Sequence, residues 1–305
     1  MFILIAIIIC LIFFRRDTAV FNILKGFFDK ISPTRKVFET AAEVAARDVP
    51  LESHFVTTSD GYILNLFRIF HKLPAPGRVV LFQHGMLSNS SDWVAVDQSI
   101  AFQLVEKGWD VWLGNNRGNV YCREHVTFSR YSKSFNSYSF HEMGMYDLPA
   151  IIDYIREKTD RQKIVYVGHS QGNSQFFAMM SLLPEMNDKI LAMFALAPVA
   201  SLAHARARVQ IMYKMAVILR APRRIFEMIG FHRLSSYFPR FLYPLLDITS
   251  PLWCPIANYA VGHRLLNIFC SYPCPTIICN SFEYFFLFRI RNGTTWQELE
   301  HYSRA

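Results

Sequence analysis

Short apolar runs alternate with amphipathic stretches between residues 54 and 200, and this rhythm sets the expected architecture. Residues 54–58 and 62–70, split by Ser59-Asp60-Gly61, read as a β-hairpin. Residues 78–83 (RVVLFQ) read as a strand and 91–107 as a helix, then 109–113 as a strand that leads into a polar loop at 114–119. Within 146–159, Leu148, Ile151, Ile152 and Ile155 recur at helical spacing, which predicts an amphipathic helix. The run KIVYV at 163–167 is continuously β-branched and aromatic, as expected of a strand buried on both faces. A helix over 174–183 and a second buried strand over 190–196, stopped before Pro198, complete the pattern. Strands and helices in this order predict an α/β fold, with a parallel-type sheet flanked by helices.

The pattern changes at both ends of that region. After residue 201 a helix is expected over 206–219, and then Pro222, Pro239, Pro244, Pro251 and Pro255 divide the chain into short pieces. At the other end, residues 1–14 are wholly apolar and Arg15-Arg16-Asp17 closes the run. Residues 1–16 therefore read as a signal peptide or a membrane anchor. No basic residue precedes the run and no Ala-x-Ala site follows it, so cleavage and retention both stay open. Either directs the chain to the secretory pathway, secreted or lysosomal, or membrane-anchored if the segment is retained.

Composition narrows the classes. Hydrophobic residues make up 52% and charged residues 18%, below the roughly 25% charged typical of soluble domains. So much apolar surface excludes a disordered chain. Outside the N-terminus no charge-free apolar run reaches the ~20 residues of a spanning helix, which excludes a multi-pass membrane protein. The net charge of +8 is local: residues 201–240 hold eight Lys or Arg against Glu227, a net +7, which leaves +1 for the rest. In that segment Arg206, Arg208, Lys214, Arg220, Arg223 and Arg224 lie among Ile211, Met212, Met215, Ile218 and Leu219. This suits either a lipid or membrane surface or a solvated helix face above an apolar wall. No nucleic-acid module is present to use the charge. Of the six cysteines, Cys10 lies in the leader; the other five leave at least one thiol unpaired. Cys270, Cys274 and Cys279 lack histidines at zinc-like spacing, and no cofactor motif is found. Asn89 and Asn292 begin glycosylation sequons.

The chemistry is carried by Gly168-His169-Ser170-Gln171-Gly172, a G-x-S-x-G motif between an expected strand and an expected helix. There a sharp turn lifts the serine oxygen clear of the sheet, so Ser170 is the candidate nucleophile. The Gln171 N–H, next in the chain, is one candidate donor to the oxyanion formed in acyl transfer. The second is the Met86 N–H, in the loop His84-Gly85-Met86 that follows RVVLFQ. His84 and His169 flank this site and read as turn and packing residues.

These segments resemble the acid lipases, the family of gastric and lysosomal lipases within the α/β-hydrolase superfamily. The matching pieces are 58–62 (TSDGY), 83–86 (QHGM), 108–119 (GWDVWLGNNRGN), 146–150 (YDLPA), 166–172 (YVGHSQG) and 195–200 (ALAPVA). The resemblance implies an α/β-hydrolase core at 34–200 and an inserted, mostly helical cap or lid region at 201–305. It also implies a Cys270–Cys279 disulfide and hydrolysis of lipid esters, acylglycerols or sterol esters. Because the family places its catalytic acid and histidine beyond the cap, the last core strands and both residues are expected to be missing from these 305 residues. Asp247 with His263 or His301 is the internal pair in the right order that could substitute. A non-catalytic lipid-binding or regulatory relative is the alternative. The sequence leaves the oligomeric state open.

Overall fold

Seven residues of extended chain, Leu51–Thr57, turn at Thr58–Gly61 into Tyr62–Ile69, and these two strands (β1 and β2) pair antiparallel along their length. The computed structural model describes residues 40–71, 78–95, 98–201, 233–234, 294–295, 297–298 and 301–302. All of them belong to one compact unit, Phe38–Ser236 with Arg291–Ala305. After β2 come β3 (Val79–Gln83), β4 (Asp110–Leu113), the short β5 (Glu124–His125), β6 (Ile164–His169) and β7 (Ile190–Leu196). The sheet order is β1-β2-β4-β3-β6-β7, with β5 on β2. β2 meets β4 antiparallel; the β4–β3, β3–β6 and β6–β7 pairs are parallel. The parallel-type sheet read from the sequence is therefore present, with an antiparallel hairpin at one side. A separate two-residue pairing joins β8 (Arg233–Leu234) to β9 (Thr294–Thr295).

β3, β4 and β6 are buried on both faces because their alternate side chains feed two cores. On one face Leu81, Trp112, Ile164 and Tyr166 pack with Leu148, Ile151, Ile152 and Ile155. Those three isoleucines and one leucine form the buried stripe of a helix at Leu148–Thr159, as their spacing predicts. On the other face Val80, Phe82, Val111, Leu113, Val165 and Val167 pack with Ala101, Phe102 and Val105.

Two expected helices differ in extent. The stretch 91–107 forms a 3₁₀ turn, Ser90–Trp93, and a separate helix, Ile100–Glu106. Each piece has its own cap: the Asn89 side chain accepts from the Ser91 N–H, and Ser99 accepts from the Phe102 N–H. Two capping residues in one run start two helices where periodicity alone suggests one. The helix expected at 146–159 begins earlier, at Phe140, and passes through a π-helical turn, Met143–Asp147. Pro149 has no N–H to continue a regular ladder into that turn, consistent with a locally widened helix. In order, the helices are α1 (Thr40–Ala45), α2 (Ile100–Glu106), α3 (Phe140–Glu142), α4 (Leu148–Thr159) and α5 (Gln171–Leu182). The leader at 1–16, the helix expected at 206–219, and Cys270, Cys279, Asn292, Asp247 and His263 lie outside the described residues, as does most of 201–305.

Candidate active site

Ser170 joins β6 to α5 with φ 50° and ψ −113°, a conformation that residues bearing a Cβ rarely adopt. The flanking glycines allow it by close approach. A Cβ at Gly168 would meet Asn173 Oδ1 at 2.6 Å, and one at Gly172 would meet the Gln83 carbonyl oxygen at 2.5 Å. The turn is tied to the neighbouring strand as well. The Ser170 N–H donates to the Leu196 carbonyl at 2.9 Å, and Asn173 Nδ2 donates to the same oxygen at 2.9 Å. α5 starts directly at Gln171 rather than at residue 174, so the first N–H groups of a twelve-residue helix gather beside the serine.

The loop after β3 runs against this elbow. A Cβ at Gly85 would lie 3.1 Å from Ser170 Cβ and 3.2 Å from His169 Nδ1, so a side chain there would crowd the two turns where they approach. The structure thus brings Ser170, Gln171 and the Gly85–Met86 peptide together. His169 has its ring edge-on to Trp93 at 6.4 Å, a packing contact.

Behind these turns lies a buried charge cluster that the sequence reading missed. Arg117, 2% exposed, follows β4. Its guanidinium donates to Asp147 at 2.6 and 2.9 Å and to Asp60 at 2.7 and 3.0 Å, and lies 4.0 Å from the Tyr62 ring centre. Burial pushes the Asp147 carboxyl up, and Arg117 pulls against that shift. Burial likewise opposes the charge on Arg117, but Asp147 and Asp60 outweigh it and hold the guanidinium firmly protonated. Cys122, one of the five cysteines outside the leader, is a free buried thiol that accepts from the Asn65 N–H; burial raises its pKa.

The segment around 295–302 packs on the same region. Thr295 and Glu298 form a reciprocal cap: the Glu298 N–H donates to Thr295 Oγ1, and the Thr295 N–H donates to Glu298 Oε2. The other Glu298 oxygen accepts from Gln171 Nε2, and Tyr302 OH donates to Ser174 Oγ at 3.0 Å. The T-x-x-E spacing of 295–298 is the signal that could have exposed this element in the sequence. A cleft with space for about one water is lined by His84, Gly85, Asn116, Arg117, Gln171 and Glu298.

Two expectations are placed elsewhere. His301 does not reach Ser170; its Nδ1 pairs with Ser139 Oγ at 2.9 Å and its ring stacks on Phe140. Among the described residues no side chain is hydrogen-bonded to Ser170 Oγ. Asn89, which begins one sequon, is 1% exposed, and its side-chain oxygen accepts both from the Ser91 N–H and from Ser91 Oγ. A glycan on that side chain would have to displace the turn that buries it.

A parallel sheet, a strand–serine–helix elbow and an apposed glycine loop define an α/β hydrolase. The comparisons agree: residues 78–219 match the model of the alpha/beta hydrolase fold, and 40–97 match that of the partial alpha/beta-hydrolase lipase region. Human lysosomal acid lipase/cholesteryl ester hydrolase is 46% identical over 163 residues, 50% of this chain and 40% of the relative. Human lipase member K is 44% identical over 165 residues, 52% of this chain and 41% of the relative. Lipase 3 of Drosophila melanogaster is 39% identical over 215 residues, 68% of this chain and 54% of the relative. The chain spans about half the length of these curated relatives. Over the residues matched, it is similar to the acid lipases.

Proposed function

We propose that Ser170 is the nucleophile of an ester hydrolase that acts on lipid esters, acylglycerols or sterol esters. The observation that carries this reading is the positive-φ serine at the junction of β6 and α5, held against Gly85. A serine hydroxyl attacks an ester carbonyl once a base removes its proton, and the carbonyl oxygen then becomes an oxyanion. The Gln171 and Met86 N–H groups are the donors proposed to receive it. The names of the relatives support lipid esters as the substrate class, and the N-terminal apolar segment supports a secretory route.

The cationic and apolar residues of 206–224 would hold the protein at a lipid surface, where such substrates lie. Cys270 and Cys279 would form the disulfide of the cap, and Asn292 would be the glycan acceptor.

The test is labelling by a fluorophosphonate probe, which reports both the nucleophile and whether its base is in place. With a base in place, the expected outcome is covalent labelling, abolished in Ser170→Ala. Absence of labelling, with fatty acid still bound, would favour the non-catalytic lipid-binding alternative.

A further inference from the structure

We infer that His84 is a positioning residue for the oxyanion donor: its imidazole, aligned by Asn116 and Asn119, locks the peptide that carries the Met86 N–H. The inference deepens the hydrolase reading and rests on it.

The need for such a lock follows from Gly85. Close approach to Ser170 favours glycine there, yet glycine leaves the adjoining peptide the freest of any residue. That peptide is the one whose N–H must be aimed. His84 Nδ1 lies 2.8 Å from the Gly85 carbonyl oxygen. A carbonyl can only accept, so Nδ1 carries the proton and donates. The Gly85–Met86 bond is trans, with C=O and N–H pointing in opposite directions in one plane. Fixing the Gly85 oxygen therefore fixes the direction of the Met86 N–H.

His84 is itself held from the other side. The Asn116 N–H donates to His84 Nε2 at 3.1 Å, and Asn119 Nδ2 approaches the same atom at 3.2 Å. The Asn119 amide cannot turn around. Its oxygen accepts from the Tyr121 N–H at 2.9 Å, and its nitrogen also donates to Asn115 Oδ1 at 2.9 Å. Asn116 Oδ1 accepts from Gln83 Nε2, and Asn115 Nδ2 donates to the Asn65 carbonyl. A backbone N–H can only donate, so Nε2 must accept and the ring is the neutral Nδ1–H tautomer. An imidazolium would set two donors face to face. The polar loop after β4, buried at Asn115, Asn116 and Asn119, thereby becomes a support for the loop after β3.

Two measurements on the full chain test this. In ¹⁵N spectra of the side-chain ring nitrogens, His84 is expected as the Nδ1–H tautomer; an Nε2–H tautomer or an imidazolium would overturn the inference whether or not the protein is active. In phosphonate labelling of Ser170, His84→Phe keeps the ring volume without the hydrogen bonds. It is expected to slow the rate by about 10²-fold, the scale of losing one oxyanion donor. His84→Gln keeps one donor and one acceptor and is expected to recover at least about tenfold of that loss. Equal labelling of His84→Phe and wild type would overturn the positioning role and leave the hydrolase reading standing. Equal losses in the Phe and Gln variants would also overturn it, since packing alone would then account for both. A wild type that binds fatty acid without labelling would overturn the hydrolase reading, and this inference with it.

Discussion

Ser170 combines a side chain with φ 50°, and that combination opposes folding stability. Residues held in such regions cost about 1–3 kcal/mol each. Ser170→Gly is therefore expected to stabilise the protein, by about 1 kcal/mol after the flexibility glycine adds to the unfolded chain. The melting temperature would rise by about 2–4 °C, read by thermal unfolding, while phosphonate labelling disappears. Ser170→Ala, which keeps the Cβ and so the strain, should lose labelling without that rise. The serine was legible in the sequence because G-x-S-x-G between a strand and a helix has one geometric meaning. Its neighbours were harder to read. Asp60 and Asp147 are separated by most of the core, and nothing local shows that Arg117 closes on both. At Asn89 a sequon triplet and a helix cap share the same side chain, which the triplet alone does not show.

At the scale of elements, Arg117 joins the β1–β2 turn, the loop after β4 and the π-helical turn before α4. Arg117→Met would leave Asp60 and Asp147 facing one another, with Asp147 fully buried. A loss of about 3–5 kcal/mol is expected in denaturant unfolding, the scale for removing one partner of a buried ion pair. The edge strand β1 is secured more lightly. Glu52 accepts from Arg68 at 3.0 Å and pairs with His54 at 3.1 Å. Burial would raise the Glu52 pKa, but these partners outweigh it and hold it below its ordinary 4.5. A depressed carboxylate contributes stability above its unfolded pKa and loses it as pH falls through the folded one. Glu52→Gln is thus expected to cost less than about 1 kcal/mol at pH 7, because the group is partly solvated. Chemical unfolding of the two proteins should converge as pH falls below the ordinary value of 4.5. The hairpin, β3, β4, β6 and β7 all followed from hydrophobic pattern. The π turn and the split of 91–107 did not, since periodicity registers which face is buried but not where a ladder is interrupted.

For the whole unit, the two cores meet the sheet unevenly. β3, β4 and β6 are covered on both faces, whereas β7, outermost among the described strands, leaves Leu191 64% and Phe194 57% exposed. The parallel order and the position of the site at the strand ends were legible from the alternation of elements. The exposure of β7 was not, because a continuous apolar run reads the same whether or not something covers it. β7 also supplies the Leu196 oxygen that receives the Ser170 N–H. The reactive turn is thereby coupled to β7, the outermost of the described strands. Strands with exposed apolar side chains open locally with less free energy than global unfolding. Amide exchange at Ser170 is therefore expected to follow such partial openings, faster than at Val80 or Val165 inside the sheet. The nucleophile would then report on this pairing: its geometry lasts only as long as the β6–β7 ladder stays closed.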